Sequence, residues 1–507
     1  MRRRLVLAMT GLIAGALLLT GCMNLPAPER TPVVEGVASD LLPFYGQEIT
    51  WEGCDGIDEG SYYCTTVTAP LDWTDPDDGA LDLAVVVRVG GSGKSTASLL
   101  TNPGGPGASG FDLVADSALF AVGDELAENF DVIGFDPRGV GRSTAVRCLD
   151  APEMDAFLFD IPAGTRGSDE WEAELTTRND GFAAACEVGS DGILPYITTE
   201  NAARDMDLLR AVLGDETLNY IGYSYGTFLG ATYAKLFPER VGRLVLDGAI
   251  DPSTSSLEVG MTQAIGFESA LRTYMASCLN TEGCPFGGTV DDAMADLGTL
   301  LATVDRTPLP NRDGRMLGAD TLTTAIIAAL YAQGSWPVLT AALSDALAGD
   351  PAQAFRLADF YYDRADGVYL TNQTEAFTAY NCMDYPNDDD PAAEAAADER
   401  VNALAPTIAP YWSGVDRCAS WPDEPTGVRE EIAADGAAPI VVIGTTGDPA
   451  TPYEWAVSLA GQLSSGVLIT REGEGHTGFN KGSACVDEAV VAYFLDDVVP
   501  EDGLVCR

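Results

Sequence analysis

Histidine is almost absent from this sequence: one residue, His476, in 507. A metal centre built from histidines is thereby excluded, and a mechanism that needs an imidazole must use that one. Basic residues are scarce too, with 28 Lys and Arg against 77 Asp and Glu, a formal charge of −49. Such a polyanion repels phosphate backbones, which argues against nucleic-acid binding as the main role. No two of the 11 cysteines stand in a CxxC spacing, so dithiol redox chemistry and zinc-ribbon ligation are not expected. What is present is a chain that is 46% hydrophobic. It is too apolar for disorder and too long for one minimal domain, so one large domain with an insertion, or two domains, is expected.

The N-terminus reads as an address. Arg2, Arg3 and Arg4 precede an apolar run from Leu5 to Thr20, which is shorter than a spanning helix. Leu19-Thr20-Gly21-Cys22 follows and resembles a bacterial lipobox. The resemblance implies a lipoprotein signal peptide over 1–21 and diacylglycerol on the Cys22 thiol. The mature protein would then be exported and lipid-anchored on the outer face of the bacterial cytoplasmic membrane. Residues 22–45, with Pro26, Pro28 and Pro32 among polar residues, read as a tether. Without Cys22 the cysteines are even in number, as an exported protein should have. Loop closure favours near neighbours, predicting Cys54–Cys64, Cys148–Cys186, Cys278–Cys284, Cys382–Cys418 and Cys485–Cys506.

Along the mature chain, apolar strand patterns at 81–89, 98–101, 130–135, 218–222 and 243–246 alternate with helical spacing at 200–213 and 227–237. This predicts a mostly parallel, doubly wound α/β sheet. The pattern stops over 252–405, which is Ala- and Leu-rich and helical, and resumes with strands at 439–445 and 467–470. The expected organisation is a core over 46–251, a helical cap over 252–405, and the rest of the core over 406–507.

Gly222-Tyr223-Ser224-Tyr225-Gly226 lies between a predicted strand and a predicted helix. That is the setting of a nucleophile elbow, where glycines permit a sharp turn that pushes the serine out at a helix N-terminus. A serine hydroxyl needs a base, and His476, in a Gly-rich loop after the last predicted strand, is the imidazole available. Asp448, after the strand at 439–445, is the predicted carboxylate partner; Asp247 and Asp251 are its rivals. The order Ser224, Asp448, His476 is that of the α/β-hydrolases. Thr451 stands where it can hydrogen-bond Asp448. The backbone N–H groups of Tyr225 and of Gly105, in Asn102-Pro103-Gly104-Gly105-Pro106-Gly107, are the expected oxyanion donors. No metal or organic cofactor is required.

The Asn-Pro-Gly-Gly-Pro-Gly loop, Phe135-Asp136-Pro137-Arg138-Gly139-Val140-Gly141-Arg142-Ser143, the elbow and Gly447-Asp448-Pro449-Ala450-Thr451-Pro452 together resemble the secreted bacterial tripeptidyl aminopeptidases, prolyl aminopeptidase-related serine peptidases of the α/β-hydrolase fold. Pro103 stands where prolyl aminopeptidases usually carry histidine, which sets strict prolyl specificity aside. The resemblance implies an acyl-enzyme exopeptidase that releases short peptides, tripeptides among them, from free N-termini. Such a substrate carries an ammonium, and Asp384, beside Cys382, is the carboxylate expected to receive it. A carboxylesterase with the same triad, or a non-catalytic peptide-binding envelope lipoprotein, are the alternatives.

Overall fold

The computed structural model describes residues 27–57, 61–91, 97–386, 390–412 and 415–507. The expected signal peptide and Cys22 lie outside the described residues. A short helix α1 (Leu42–Tyr45) leads to β1 (Glu52–Gly53), β2 (Tyr62–Pro70), β3 (Ala80–Arg88), β4 (Ser98–Asn102), α2 (Gly110–Asn129) and β5 (Asp131–Phe135). Helices α3 (Ala151–Phe159), α4 (Asp169–Gly189) and α5 (Thr199–Val212) precede β6 (Leu218–Tyr223), α6 (Tyr225–Leu236) and β7 (Val241–Asp247). The helical insertion holds α7 (Ser256–Cys278), α8 (Val290–Arg306), the hairpin β8 (Leu309–Pro310) and β9 (Met316–Leu317), α9 (Ala319–Leu330), α10 (Trp336–Leu347) and α11 (Ala352–Tyr361). It continues with the hairpin β10 (Arg364–Ala365) and β11 (Val368–Tyr369), α12 (Gln373–Asp384) and α13 (Pro391–Leu404). The chain closes with β12 (Ile440–Gly447), α14 (Tyr453–Gln462), β13 (Gly466–Glu474), α15 (Ala484–Leu495) and β14 (Leu504–Cys506).

The strands form one ten-stranded sheet in the order β1-β2-β3-β5-β4-β6-β7-β12-β13-β14. Pairings from β1 to β5 along this order are antiparallel, and those from β5 to β14 are parallel. This is the α/β-hydrolase fold. Every residue of β4 and β5 is buried, as strands covered on both faces must be. Successive side chains go to opposite sides: Leu99, Val132 and Val441 enter one core, while Leu100, Ile133 and Val442 enter the other.

The cap has its own core, built from residues such as Phe267, Leu271, Leu301, Ile326 and Phe355 of α7 to α11. Two elements cross the boundary expected from the sequence. Ala376, Ala379, Tyr380 and Met383 of α12 pack in the hydrolase core, and Phe159 of α3 packs in the cap. The predicted tether is also shorter than expected. Arg30 pairs with Asp131, the Val33 N–H donates to Ala211 O at 2.9 Å, and Tyr45 is buried with its hydroxyl 3.0 Å from Asp207. Apolar and charge contacts thus fasten 30–45 to the core. All five predicted disulfides are formed. Among the described residues no helix is long and apolar enough to cross a membrane, and no His, Cys, Asp and Glu group could hold a metal ion.

Candidate active site

β6 ends at Tyr223 and α6 begins at Tyr225, so Ser224 is the whole turn. It sits at φ 55°, ψ −123°, a strained conformation for a residue with a side chain, of the kind that clusters at functional sites. The glycines around it are required by contact. A Cβ on Gly222 would lie 2.3 Å from Gly226 O, and one on Gly226 would lie 2.9 Å from Asn102 O. Tyr225 is the first residue of α6, so its N–H has no acceptor inside the helix.

Asp448 and His476 follow the adjacent strands β12 and β13. His476 Nδ1 lies 2.9 Å from both oxygens of Asp448. The carboxylate is buried and is held by the N–H groups of Ala450, Thr451 and Thr477 at 3.0, 2.9 and 3.1 Å. Thr451 Oγ1 donates to Asp448 at 3.0 Å and lies 3.2 Å from His476 Nδ1. An imidazole held this way at Nδ1 presents Nε2 outward. His476 Nε2 is buried and has no hydrogen-bond partner among the described residues, which marks a nitrogen reserved for another group.

The rival aspartates have other tasks. Asp251 accepts from the Ser253 N–H and from Gln462. Asp247, at the end of β7, is fully buried and accepts from the N–H groups of Gly478 and Phe479. Burial pushes its carboxyl up to about 6 against these bonds. Its own carbonyl accepts the Ser224 N–H at 2.9 Å. A Cβ on the next residue, Gly248, would stand 3.1 Å from His476 Cε1. Asp247-Gly248 therefore joins the serine turn to the histidine loop, a bridging role that the sequence reading did not identify.

The glycine loop lies against the serine. A Cβ on Gly104 would be 2.9 Å from Ser224 Cβ and 3.0 Å from the Tyr225 nitrogen. Gly105 follows at φ 106°, a left-handed conformation that glycine adopts freely. A Cβ on Gly107 would be 2.8 Å from Gln373 O, so the first turn of α12 rests on this loop. That turn carries Glu375, which is 9% exposed. Desolvation pushes its carboxyl up to about 7, opposed only by a backbone hydrogen bond.

Asp384, expected to receive the substrate ammonium, lies at the other end of α12 and is bonded to Thr199. Its oxygens accept from the Thr199 N–H at 2.8 Å and from Thr199 Oγ1 at 2.6 Å, and Thr199 Oγ1 also bonds the Tyr225 hydroxyl. Asp384 is 4% exposed, and burial pushes its carboxyl up to about 6. It fastens α12 to the start of α5.

Residues 405–506 match the family described as TAP-like protein. Over 522 residues the chain is 34% identical to Serine protease Hip1 of Mycobacterium tuberculosis, covering 99% of this chain and 98% of that one. It is 38% identical over 504 residues to Carboxylesterase B of the same organism, covering 96% of each. It is 30% identical over 472 residues to Tripeptidyl aminopeptidase of Streptomyces lividans, covering 90% of this chain and 86% of that one.

Proposed function

Because the chain belongs to the TAP-like family of α/β-hydrolases and is a hydrolase of the serine type, we propose that it is an exported exopeptidase that releases short peptides, tripeptides foremost, from free N-termini. The observation that carries the mechanism is the buried, unpartnered His476 Nε2 of an imidazole held at Nδ1 by Asp448. In this reading His476 takes the Ser224 proton as Oγ attacks the scissile carbonyl. Asp448, with Thr451, holds the tautomer and stabilises the imidazolium. The N–H groups of Tyr225 and Gly105 receive the oxyanion, each such donor being worth on the order of 10²–10³ in rate. His476 then protonates the leaving amine, and water releases the acyl-enzyme.

For the ammonium of the substrate, Glu375 replaces Asp384. It is a buried carboxylate on the turn that rests on the glycine loop, and no cation contributes to its environment. An incoming ammonium supplies the missing charge. Export and lipidation at Cys22 are part of the same reading. The five disulfides support an oxidising compartment.

A carboxylesterase is the second reading, favoured by the similarity to Carboxylesterase B. Initial rates on a free-amine tripeptide anilide, its N-acetylated twin and a short acyl ester separate the two. The exopeptidase cleaves the first and rejects the second, and Glu375→Gln raises KM for the first while sparing the ester. Fast ester turnover with no preference for a free amine would replace the exopeptidase with the esterase.

A further inference from the structure

The cap grips both loops that carry the acid and the base. On the acid side, α7 passes so close that a Cβ on Gly266 would stand 2.6 Å from Pro449 O and 3.2 Å from Pro452 Cγ. Gln263, one turn earlier on α7, donates to Ala450 O at 2.9 Å, and Ala450 is buried in the cap's own apolar cluster. On the base side, Tyr331, the residue after α9, accepts the His476 N–H on its carbonyl at 2.8 Å. Its ring meets the imidazole edge-on, with centroids 5.3 Å apart. Gly475 sits at φ 96°, and a Cβ there would lie 3.1 Å from the same Tyr331 carbonyl. The Tyr331 ring packs on Phe267 of α7 at 5.8 Å, so α7 and the end of α9 form one packed unit.

We propose that Tyr331 is a positioning residue for His476, and that the α7–α9 part of the cap is a fixed half of the frame aligning base with acid rather than a lid that lifts. The proposal rests on Ser224, Asp448 and His476 being the reacting set. The imidazole is held at Nδ1 by Asp448, and its loop is held from below by Asp247. Tyr331 supplies the remaining wall and the acceptor for the backbone N–H. Lifting the cap would remove both, and a misplacement of about 1 Å in such a constellation costs ~10²-fold in rate.

The test measures kcat and KM separately on the preferred substrate. Tyr331→Phe keeps the ring and the carbonyl and should stay within about twofold of the wild type. Tyr331→Leu removes the ring and should lower kcat by about 10- to 100-fold, with KM within about threefold. A rise in KM alone would make Tyr331 a substrate contact and overturn the proposal, as would an unchanged kcat in the Leu variant. Native-state hydrogen exchange on the unmodified enzyme gives a readout free of substitutions. The His476 amide should exchange as slowly as amides in β12; fast exchange would mean that the cap lifts. Ser224→Ala separates the two levels. Turnover that survives it removes the reacting set and the proposal together, whereas full activity in Tyr331→Leu beside a dead Ser224→Ala overturns the proposal alone.

Discussion

At the residue scale, the site depends on carboxylates whose jobs differ although their chemistry is the same. Asp448 holds the imidazole, and Asp247 holds the backbone of the loop that carries it. Asp247→Ala should therefore lower kcat by about 10²-fold, by releasing the His476 loop, while Ser224 keeps its place. Wild-type kcat in a folded Asp247→Ala enzyme would remove the bridge from the account. Glu375 gives a pH prediction. Burial raises its folded pKa from 4.5 to about 7, so between those values the folded protein keeps a proton that the unfolded chain releases. Stability then falls as pH rises through that window, by up to about 3 kcal/mol. Glu375→Gln should melt with the wild type near pH 4 and above it at pH 8, and a gap that stays constant with pH would contradict the burial argument. The candidate serine and base were legible because the elbow motif is local and the histidine is unique. Asp448 was separable from 76 other acidic residues only by its place after a strand. The bond of Asp384 to Thr199, 185 positions away, has no local pattern to signal it.

At the scale of elements, the glycine loop, the α6 N-terminus and the first turn of α12 are pressed together. Gly107 has φ 94°, and a Cβ there would meet Gln373 O at 2.8 Å and Phe377 N at 2.9 Å. Gly107→Ala should push α12 off the loop and disturb the Gly105 donor, lowering kcat by about 10²-fold. Parallel kinetics and circular dichroism check this, and a folded variant with wild-type kcat would mean that α12 does not set the loop. The central strands were readable because burial on both faces makes them continuously apolar. β1 and β14 are two and three residues long, too short for periodicity to register. β2 escaped notice because its first half is only partly buried, which blurs the alternation. The cap's grip on the catalytic loops has no local sequence signature, since Gly266, Gln263 and Tyr331 meet loops more than a hundred positions away.

At the scale of the molecule, the serine, acid and base follow the C-terminal ends of parallel strands, as ligand sites in open α/β sheets do. The N-terminal segment is fastened at the opposite end of the strands, where Arg30 meets Asp131 at the start of β5 and Val33 meets Ala211 near the end of α5. Were Cys22 lipidated, as proposed, an anchor eight peptide steps before Arg30 would join the molecule at these contacts rather than at the catalytic loops. Cys22→Ala should therefore move the protein from the membrane to the soluble fraction while kcat/KM on a soluble tripeptide stays within about twofold. Release accompanied by loss of activity would contradict this geometry. Covalent labelling of the serine shows whether Ser224, His476 and Asp448 act as one set. The protein would be treated with a fluorophosphonate, digested, and its adduct located by mass spectrometry. One adduct is expected, on Ser224, forming at least about 10²-fold more slowly in His476→Ala. An adduct on another residue, or equal labelling rates in the two proteins, would contradict it.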